Sequence, residues 1–191
     1  MAGISQQEAW LAITRRDIFG RSAVGLVLAS VGGSLSWMSA AQAQARGATL
    51  RTLTPTEAAW VAGLGEAIAP PAREAGLVPY LDHHLSVPPA ESLLALRYLD
   101  VAPPYLDFYR PALASLARLH GTVPPPSGDP RWTAILAALL GPDPTGWQGP
   151  PGGFFLFAMR LDAVDVAYGT KAGFERLGVD YLGHIDPETA W

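Results

Sequence analysis

Two adjacent histidines are the residues of this chain whose types come closest to metal chemistry. His83 and His84 follow Asp82 in the run VPYLDHHLS, which has the spacing of a short helix. Neighbouring residues of a helix point about 100° apart, whereas two metal ligands on one helix need a spacing of three or four residues. No second cluster of ligand types accompanies them in the sequence. We therefore expect a polar face or an interface rather than a metal site.

A pair of carboxylates is the other candidate for chemistry. Asp162 and Asp165 are three residues apart in RLDAVDVAY, so on a helix they share a face. Paired carboxylates can perform acid–base catalysis, but Arg160 beside them favours a capping or salt-bridge role. No G-x-S-x-G motif and no P-loop occurs, and GLGEAI supplies only G-x-G inside a predicted helix. We therefore assign no catalytic, cofactor-binding or metal-binding residue.

The composition removes several further classes of protein. The 191 residues contain no cysteine, which excludes disulfides, thiolate zinc sites, iron–sulfur clusters and the C-x-x-C-H haem attachment. The formal net charge is −4, whereas a nucleic-acid partner needs a basic face. We therefore expect no nucleic-acid binding, and the length suits one domain that follows an N-terminal signal.

The N-terminal sequence has the pattern of a twin-arginine export signal. Arg15 and Arg16 precede Ile18, Phe19 and an uncharged run from Ser22 to Ala41. That run is nearly long enough to span a bilayer, which takes roughly 20 apolar residues, but its glycines and serines make it weakly hydrophobic. The twin-arginine route carries cargo that has already folded, so we expect the chain to be exported to the periplasm.

Small residues at alternate positions follow this run and predict a cleavage site. In SAAQAQAR the A-x-A pattern places cleavage after Ala43 or Ala45. We therefore divide the chain into a signal helix within residues 1–45 and a single domain of residues 46–191. A retained N-terminal anchor and a soluble amphipathic helix are the alternatives.

Residues 46–191 show helical spacing that is broken by proline- and glycine-rich loops. In LTPTEAAWVAGLGEAIAPP, Thr54 can cap a helix, Pro55 fits its first position and Glu57 completes a capping box. No alternating strand pattern of useful length is evident. The expected fold is all-α with about five to seven uneven helices, the others lying in VPYLDHHLS, PAESLLALRYLDV, YLDFYRPALASLARLHG, RWTAILAALLG and FFLFAMRLDAVDVAY.

An aromatic run begins the last of these helices. Phe154, Phe155 and Phe157 cover more than one face of the predicted helix. A helix that is apolar all round normally lies deep in a core or in an interface. The residue types alone leave a purely structural role and a partner-facing role both open.

The C-terminal part carries the most distinctive motifs of the chain. They are WQGPP, the aromatic helix, RLDAVDVAYGT, GFERLGVDY, HIDP and a terminal tryptophan. In these motifs the chain resembles the family called gluconate 2-dehydrogenase subunit 3. The segments LTPTEAAWVAGLGEAIAP, EAGLVPYLDHHLS and FYRPALASLARLHG are similar to earlier parts of that family more loosely. The resemblance covers most of the chain after the signal.

The resemblance implies a non-catalytic small subunit of a large FAD-dependent dehydrogenase of the glucose–methanol–choline type. In such complexes the large subunit holds the FAD and oxidises a sugar, a sugar acid or a related alcohol. A multihaem cytochrome c subunit often passes the electrons to the respiratory chain. The small subunit commonly carries the twin-arginine signal for the pair, so the twin-arginine translocase is a further expected partner. The complex would lie in the periplasm, associated with the inner membrane.

We therefore expect this chain to stabilise the folded flavoprotein and to escort it across the membrane, since binding only the folded state stabilises that state. Large aromatic side chains are the usual anchors of interfaces. The expected partner contacts are Phe154, Phe155, Phe157, Tyr168, Phe174, Tyr181, His184 and Trp191. A stand-alone periplasmic small-ligand binding module is the alternative, and a stand-alone periplasmic enzyme is a third hypothesis.

Overall fold

A computed structural model describes residues 26–180 of the chain. Within this range the backbone forms a two-stranded antiparallel sheet, seven α-helices and two short 3₁₀ helices. The expectation of an all-α fold is therefore wrong. Residues 26–39, which we expected to belong to a signal helix, form the two strands.

The strands are joined into a hairpin by a pair of glycines. β1 (Leu26–Val31) and β2 (Ser34–Ser39) pair antiparallel over their whole lengths. Gly32 and Gly33 have φ angles of 57° and 81°, as the favoured two-residue hairpin turn requires. Because residues 27–29 are all buried, β1 has no polar–apolar alternation. Such an apolar run cannot be distinguished from a helical segment by periodicity alone.

A short helix follows the hairpin directly. α1 (Ala40–Ala45) is capped by Ser39, whose hydroxyl accepts a hydrogen bond from the backbone N–H of Gln42 at 3.1 Å. The Gln42 side chain accepts from the backbone N–H of Ser39, also at 3.1 Å, which completes a capping box. Ala40 and Ala43 are buried, so α1 packs closely on the rest of the fold.

The predicted start of the next helix is confirmed. α2 (Pro55–Ile68) begins with Pro55, and the Thr54 hydroxyl accepts from the backbone N–H of Glu57 at 3.2 Å. In return, the Glu57 carboxylate accepts from the backbone N–H of Thr54 at 2.7 Å. α2 ends before Pro70 and Pro71, and a 3₁₀ helix (Pro70–Ala72) follows it.

Five further helices complete the described part of the chain. In order they are α3 (Leu77–Ser86), α4 (Leu106–His120), α5 (Arg131–Leu140), α6 (Gly152–Tyr168) and α7 (Lys171–Arg176). Pro111 lies inside α4 without ending it. Gly121 caps the carboxyl end of α4 with a φ of 102°, a conformation that favours glycine.

The prediction of a helix in PAESLLALRYLDV is wrong. Only a 3₁₀ helix (Ala95–Tyr98) forms in this segment. The backbone N–H of Leu93 donates to the ring of His84, and that of Ala95 donates to the carboxylate of Asp162. Distant side chains thus satisfy donors that a helical turn would otherwise use.

One hydrophobic core joins the helices and the hairpin. Its largest fully buried side chains are those of Trp60, Tyr80, Tyr109 and Phe155, which come from α2, α3, α4 and α6. Val27 of β1 belongs to the same cluster. In addition, α3 packs against both β1 and α1, so the hairpin is part of the domain that contains the candidate interface.

Candidate partner interface

α6 carries the predicted interface, and one side of this helix is fixed in the core. Phe155, Met159, Ala163 and Val166 are each at most 1% exposed. Their spacing of three or four residues is that of a core-facing helix side. The position of α6 is therefore determined from within the domain.

The opposite side of α6 exposes a row of apolar side chains. Phe157, Leu161 and Val164 are 47%, 38% and 40% exposed, respectively. Their spacing of four and three residues places them in one row on the helix, and we call these three residues the α6 stripe. Tyr168, which is half-buried, continues the row. Single exposed apolar residues are common on protein surfaces, but a contiguous apolar patch is typical of a contact site.

Two of the predicted contacts face inwards. Phe155 is fully buried, and its ring lies 6.2 Å from that of Tyr109 and 6.1 Å from that of Trp147. Phe154 is half-buried, with its ring 5.4 Å from that of Phe108 and nearly perpendicular to it. Both side chains therefore hold α6 against its neighbours.

The remaining predicted contacts differ in exposure. Phe157 is exposed, whereas Tyr168 packs against the core and Phe174 is half-buried on α7. Sequence reasoning missed Leu161 and Val164, although the helical spacing from Phe157 was a signal that could have identified them. Three predicted contacts lie outside the described residues: Tyr181, His184 and Trp191.

A groove of about 340 Å³ lies beside the α6 stripe, between α6 and the 3₁₀ helix at residues 95–98. Leu161 and Val164 of the stripe line one side of it, and Tyr98, which is 73% exposed, lines the other. The carboxyl groups of Asp162 and Asp165 are the polar part of the lining. The groove thus combines apolar walls with acidic groups.

Asp162 connects α6 to two other elements. Its Oδ1 accepts the backbone N–H of Ala95 at 2.8 Å, and its Oδ2 accepts a short hydrogen bond from the hydroxyl of Tyr109. Burial raises the pKa of Asp162 to about 7, although both hydrogen bonds favour the ionised form. Burial and the adjacent Asp162 raise the pKa of Tyr109 well above its ordinary value, so Tyr109 remains the proton donor.

These contacts give Asp162 a positioning role. Both of its oxygens bind protein donors, so they hold the wall of the groove rather than polarise a bound substrate. Burial also raises the pKa of Asp165, which is half-buried. The salt bridge that we expected for Arg160 is not formed within residues 26–180, where the ion pairs involve other arginines.

The acidic residue beside the histidines fixes the segment before α2. The carboxylate of Asp82 accepts backbone N–H groups of Arg51, Thr52 and Leu53 at 2.8 to 2.9 Å. The guanidinium of Arg51 lies 3.0 Å from Nδ1 of His83. Since a guanidinium can only donate, this nitrogen of His83 is the acceptor.

His83 and His84 are buried and neutral, not on a polar face. Burial, helped by the Arg51 charge, lowers the pKa of His83 to about 4. Burial also lowers the pKa of His84 to about 3. Nδ1 of His84 accepts from Leu93, while its Nε2 has no hydrogen-bond partner among the described residues. No group of three or more His, Cys, Asp or Glu residues that could hold a metal occurs within residues 26–180.

The predicted export signal is only partly within the described residues. Ala43 and Ala45 lie in α1, where Ala43 is fully buried and Ala45 is exposed. In the part of the chain that the structure describes, no helix has the length and apolarity to cross a membrane. Four predicted signal residues lie outside that part: Arg15, Arg16, Ile18 and Phe19.

Comparison with known proteins gives no match: no protein-family model, no curated protein and no solved structure matches this chain. The family resemblance of the C-terminal motifs therefore stays a prediction from the sequence.

Proposed function

We propose that this chain is the non-catalytic small subunit of a periplasmic FAD-dependent dehydrogenase that oxidises a sugar, a sugar acid or a related alcohol. It binds and stabilises the flavoprotein subunit and carries the twin-arginine signal by which both cross the inner membrane. The flavoprotein holds the FAD, and a multihaem cytochrome c subunit receives the electrons at the membrane. The motifs of the C-terminal part support this role.

The α6 stripe is the observation that carries the proposal. It lies within the aromatic helix, one of the motifs on which the resemblance rests. Core packing around Phe155 and the hydrogen bonds of Asp162 hold the helix in place, so little ordering cost opposes binding. Complete burial of an exposed apolar side chain contributes about 1.5–3 kcal/mol, and Phe157, which is 47% exposed, would contribute about half of that. The stripe therefore supplies anchors for a larger contact with the partner.

Co-expression with the flavoprotein tests this role. The partner to use is a flavoprotein without a signal of its own that is encoded beside this chain. Phe157→Glu should reduce the flavin absorbance that co-purifies with this chain by at least about tenfold, because a charge would be buried in the contact. Val123→Glu is the matched control, since Val123 is 80% exposed and lies in the loop between α4 and α5. Equal capture of the flavoprotein by both variants would contradict the proposed interface.

The escort role has a separate test. Changing Arg15 and Arg16 to lysine should leave both subunits in the cytoplasm, because the flavoprotein has no signal of its own in this proposal. Flavin-loaded enzyme is then measured in the periplasmic fraction. Continued export of the flavoprotein with the Lys–Lys variant would contradict the shared signal.

The groove beside the α6 stripe supports a second candidate, a periplasmic small-ligand binding module. Its volume of about 340 Å³ is at the lower end of the range for small-molecule sites. Titration of the purified chain with sugars and sugar acids tests this alternative. Saturable binding that Leu161→Trp abolishes, because the larger side chain fills the groove, would favour the module over the subunit.

A further inference from the structure

We infer that the domain has an internal binding surface for its own export signal, and that residues 26–45 are held there out of reach of a translocase and a signal peptidase. We call residues 26–45 the shield segment. The surface that holds it is formed by α3 and by residues 48–53, which follow α1. This inference rests on the proposed export role of Arg15 and Arg16, and it adds a control on when that signal can act.

Four apolar side chains of the predicted signal run are in the core. Val27, Leu28, Ala29 and Met38 are 0%, 4%, 6% and 3% exposed. They belong to the run between Ser22 and Ala41 that follows the twin arginines. A translocase that recognises this run has to contact it directly, so the hairpin must first leave the core.

Polar contacts attach the hairpin to the rest of the domain through β1. The backbone N–H of Thr49 donates to the carbonyl of Ser30 at 2.8 Å. The guanidinium of Arg51 donates to the carbonyl of Leu28 at 2.9 Å. The backbone of Arg51 is itself held by Asp82 of α3 at 2.9 Å. Arg51 therefore binds the hairpin, and Asp82 in turn holds the backbone of Arg51 in position.

A glycine on the domain is shaped to receive α1. Gly76, directly before α3, has a φ of 91°, a conformation that side-chain-bearing residues rarely adopt. A Cβ atom built on Gly76 would lie 2.2 Å from the backbone carbon and oxygen of Ala40, the first residue of α1. The backbones touch at this point, so the position serves the seating of the shield segment.

The packing of α1 also protects the predicted cleavage sites. Ala43 is fully buried within α1, whereas a peptidase acts on a chain that is extended and accessible. Binding of Ala43 or Ala45 to a peptidase thus requires α1 to unwind and to separate from α3. Cleavage there would also detach the hairpin from the core that it completes. Release of the shield segment therefore precedes cleavage.

A reversible disulfide can lock the shield segment in place. Ser30 and Thr49 face each other in an isolated antiparallel bridge, and the chain has no cysteine of its own. Ser30→Cys with Thr49→Cys in the full chain would thus give a single intramolecular disulfide. Ser30→Cys alone is the matched control, because it cannot form that disulfide.

The probe is elastase, which cuts after small residues, and cuts after Ala43 or Ala45 are identified by mass spectrometry on reduced samples. We expect the oxidised double variant to be cut at least about tenfold more slowly than the same protein after reduction, since cleavage follows the population of the open form. The control should be cut at one rate with and without reductant. Equal rates for the oxidised and reduced double variant would overturn the inference.

Export in cells with an oxidising cytoplasm is the second measurement. The double variant should stay in the cytoplasm while Ser30→Cys alone reaches the periplasm. Equal export of the two would show that packing of the shield segment does not control the signal. If even the control remains in the cytoplasm, the proposed export role fails, and the elastase comparison still decides whether the segment is locked.

Discussion

The buried carboxyl group of Asp162 should make the stability of this fold depend on pH. In the folded state its pKa is about 7, because burial outweighs its two hydrogen bonds, whereas the ordinary value is 3.8. Between these pH values the folded state binds a proton that the unfolded state has lost. The contribution of Asp162 to the free energy of unfolding therefore falls as the pH rises through this window, opposite in sign to that of the buried histidines. Each tenfold change in proton affinity is worth about 1.4 kcal/mol, so the total loss is about 4 kcal/mol.

Asp162→Asn removes this titration with little change of shape. The amide oxygen can accept from the backbone N–H of Ala95, and the amide nitrogen can donate to the oxygen of Tyr109. At pH 4, where Asp162 is protonated in the folded state, variant and wild type should have similar stability. Relative to the wild type, the variant should then gain about 4 kcal/mol between pH 4 and pH 8.

Urea unfolding followed by tryptophan fluorescence measures this difference at each pH. Asp165→Asn is the control, because its carboxyl group lies on the same face of α6 but is only half-buried. Its pKa is raised as well, so its difference from wild type should change in the same direction and by less. A difference for Asp162→Asn that stays constant from pH 4 to pH 8 would refute the dominance of burial at this site.

Three further predictions follow from the packing. Gly76→Ala should destabilise the fold by several kcal/mol in urea unfolding, whereas Gly128→Ala, which has a positive φ but no atom near its Cβ, should cost only about 1–2 kcal/mol; equal costs would contradict the close contact with α1. Phe155→Ala should cost about 3–5 kcal/mol and Phe157→Ala within about 0.5 kcal/mol, as measured by thermal unfolding, and the reverse order would mean that α6 is rotated. In the wild type, His84 makes the free energy of unfolding fall as the pH falls below 6.5, because its folded pKa of about 3 keeps it neutral while the unfolded chain binds the proton. His84→Gln should remove this contribution, as measured by urea unfolding at each pH. An unchanged pH profile would mean that the His84 ring is in water.

Local signals in the sequence located the start of α2 correctly. The capping box of Thr54 and Glu57 involves residues that are close in the chain, so its chemistry can be recognised without tertiary contacts. Helical spacing also predicted a helix in the segment before α4, where only a 3₁₀ helix forms. Its donors bind His84 and Asp162, which are distant in sequence, and helical spacing cannot anticipate such partners.

The sequence-based predictions differ from the structure at the hairpin and at the candidate site for different physical reasons. The apolar residues of β1 fit a signal run as well as a buried strand, and only the pairing and the positive φ of Gly32 and Gly33 separate the two. For α6 the spacing predicted a helix that is apolar on several sides. Which aromatic ring faces inwards depends on Phe108 and Tyr109 of α4, whose location no local pattern gives.

The two-sided packing of α6 limits how freely its sequence can vary. Of its 17 residues, nine are buried, and the stripe takes up most of the apolar positions that remain. In a saturation library, substitutions at the nine buried positions would score as harmful in a selection for soluble protein, whereas substitutions in the stripe would score as harmful only in a selection for flavoprotein capture. Comparing both selections position by position would therefore separate the residues that build the helix from those that the proposed partner requires. Arg160, exposed and outside the ion pairs of residues 26–180, is the position that should tolerate change in both.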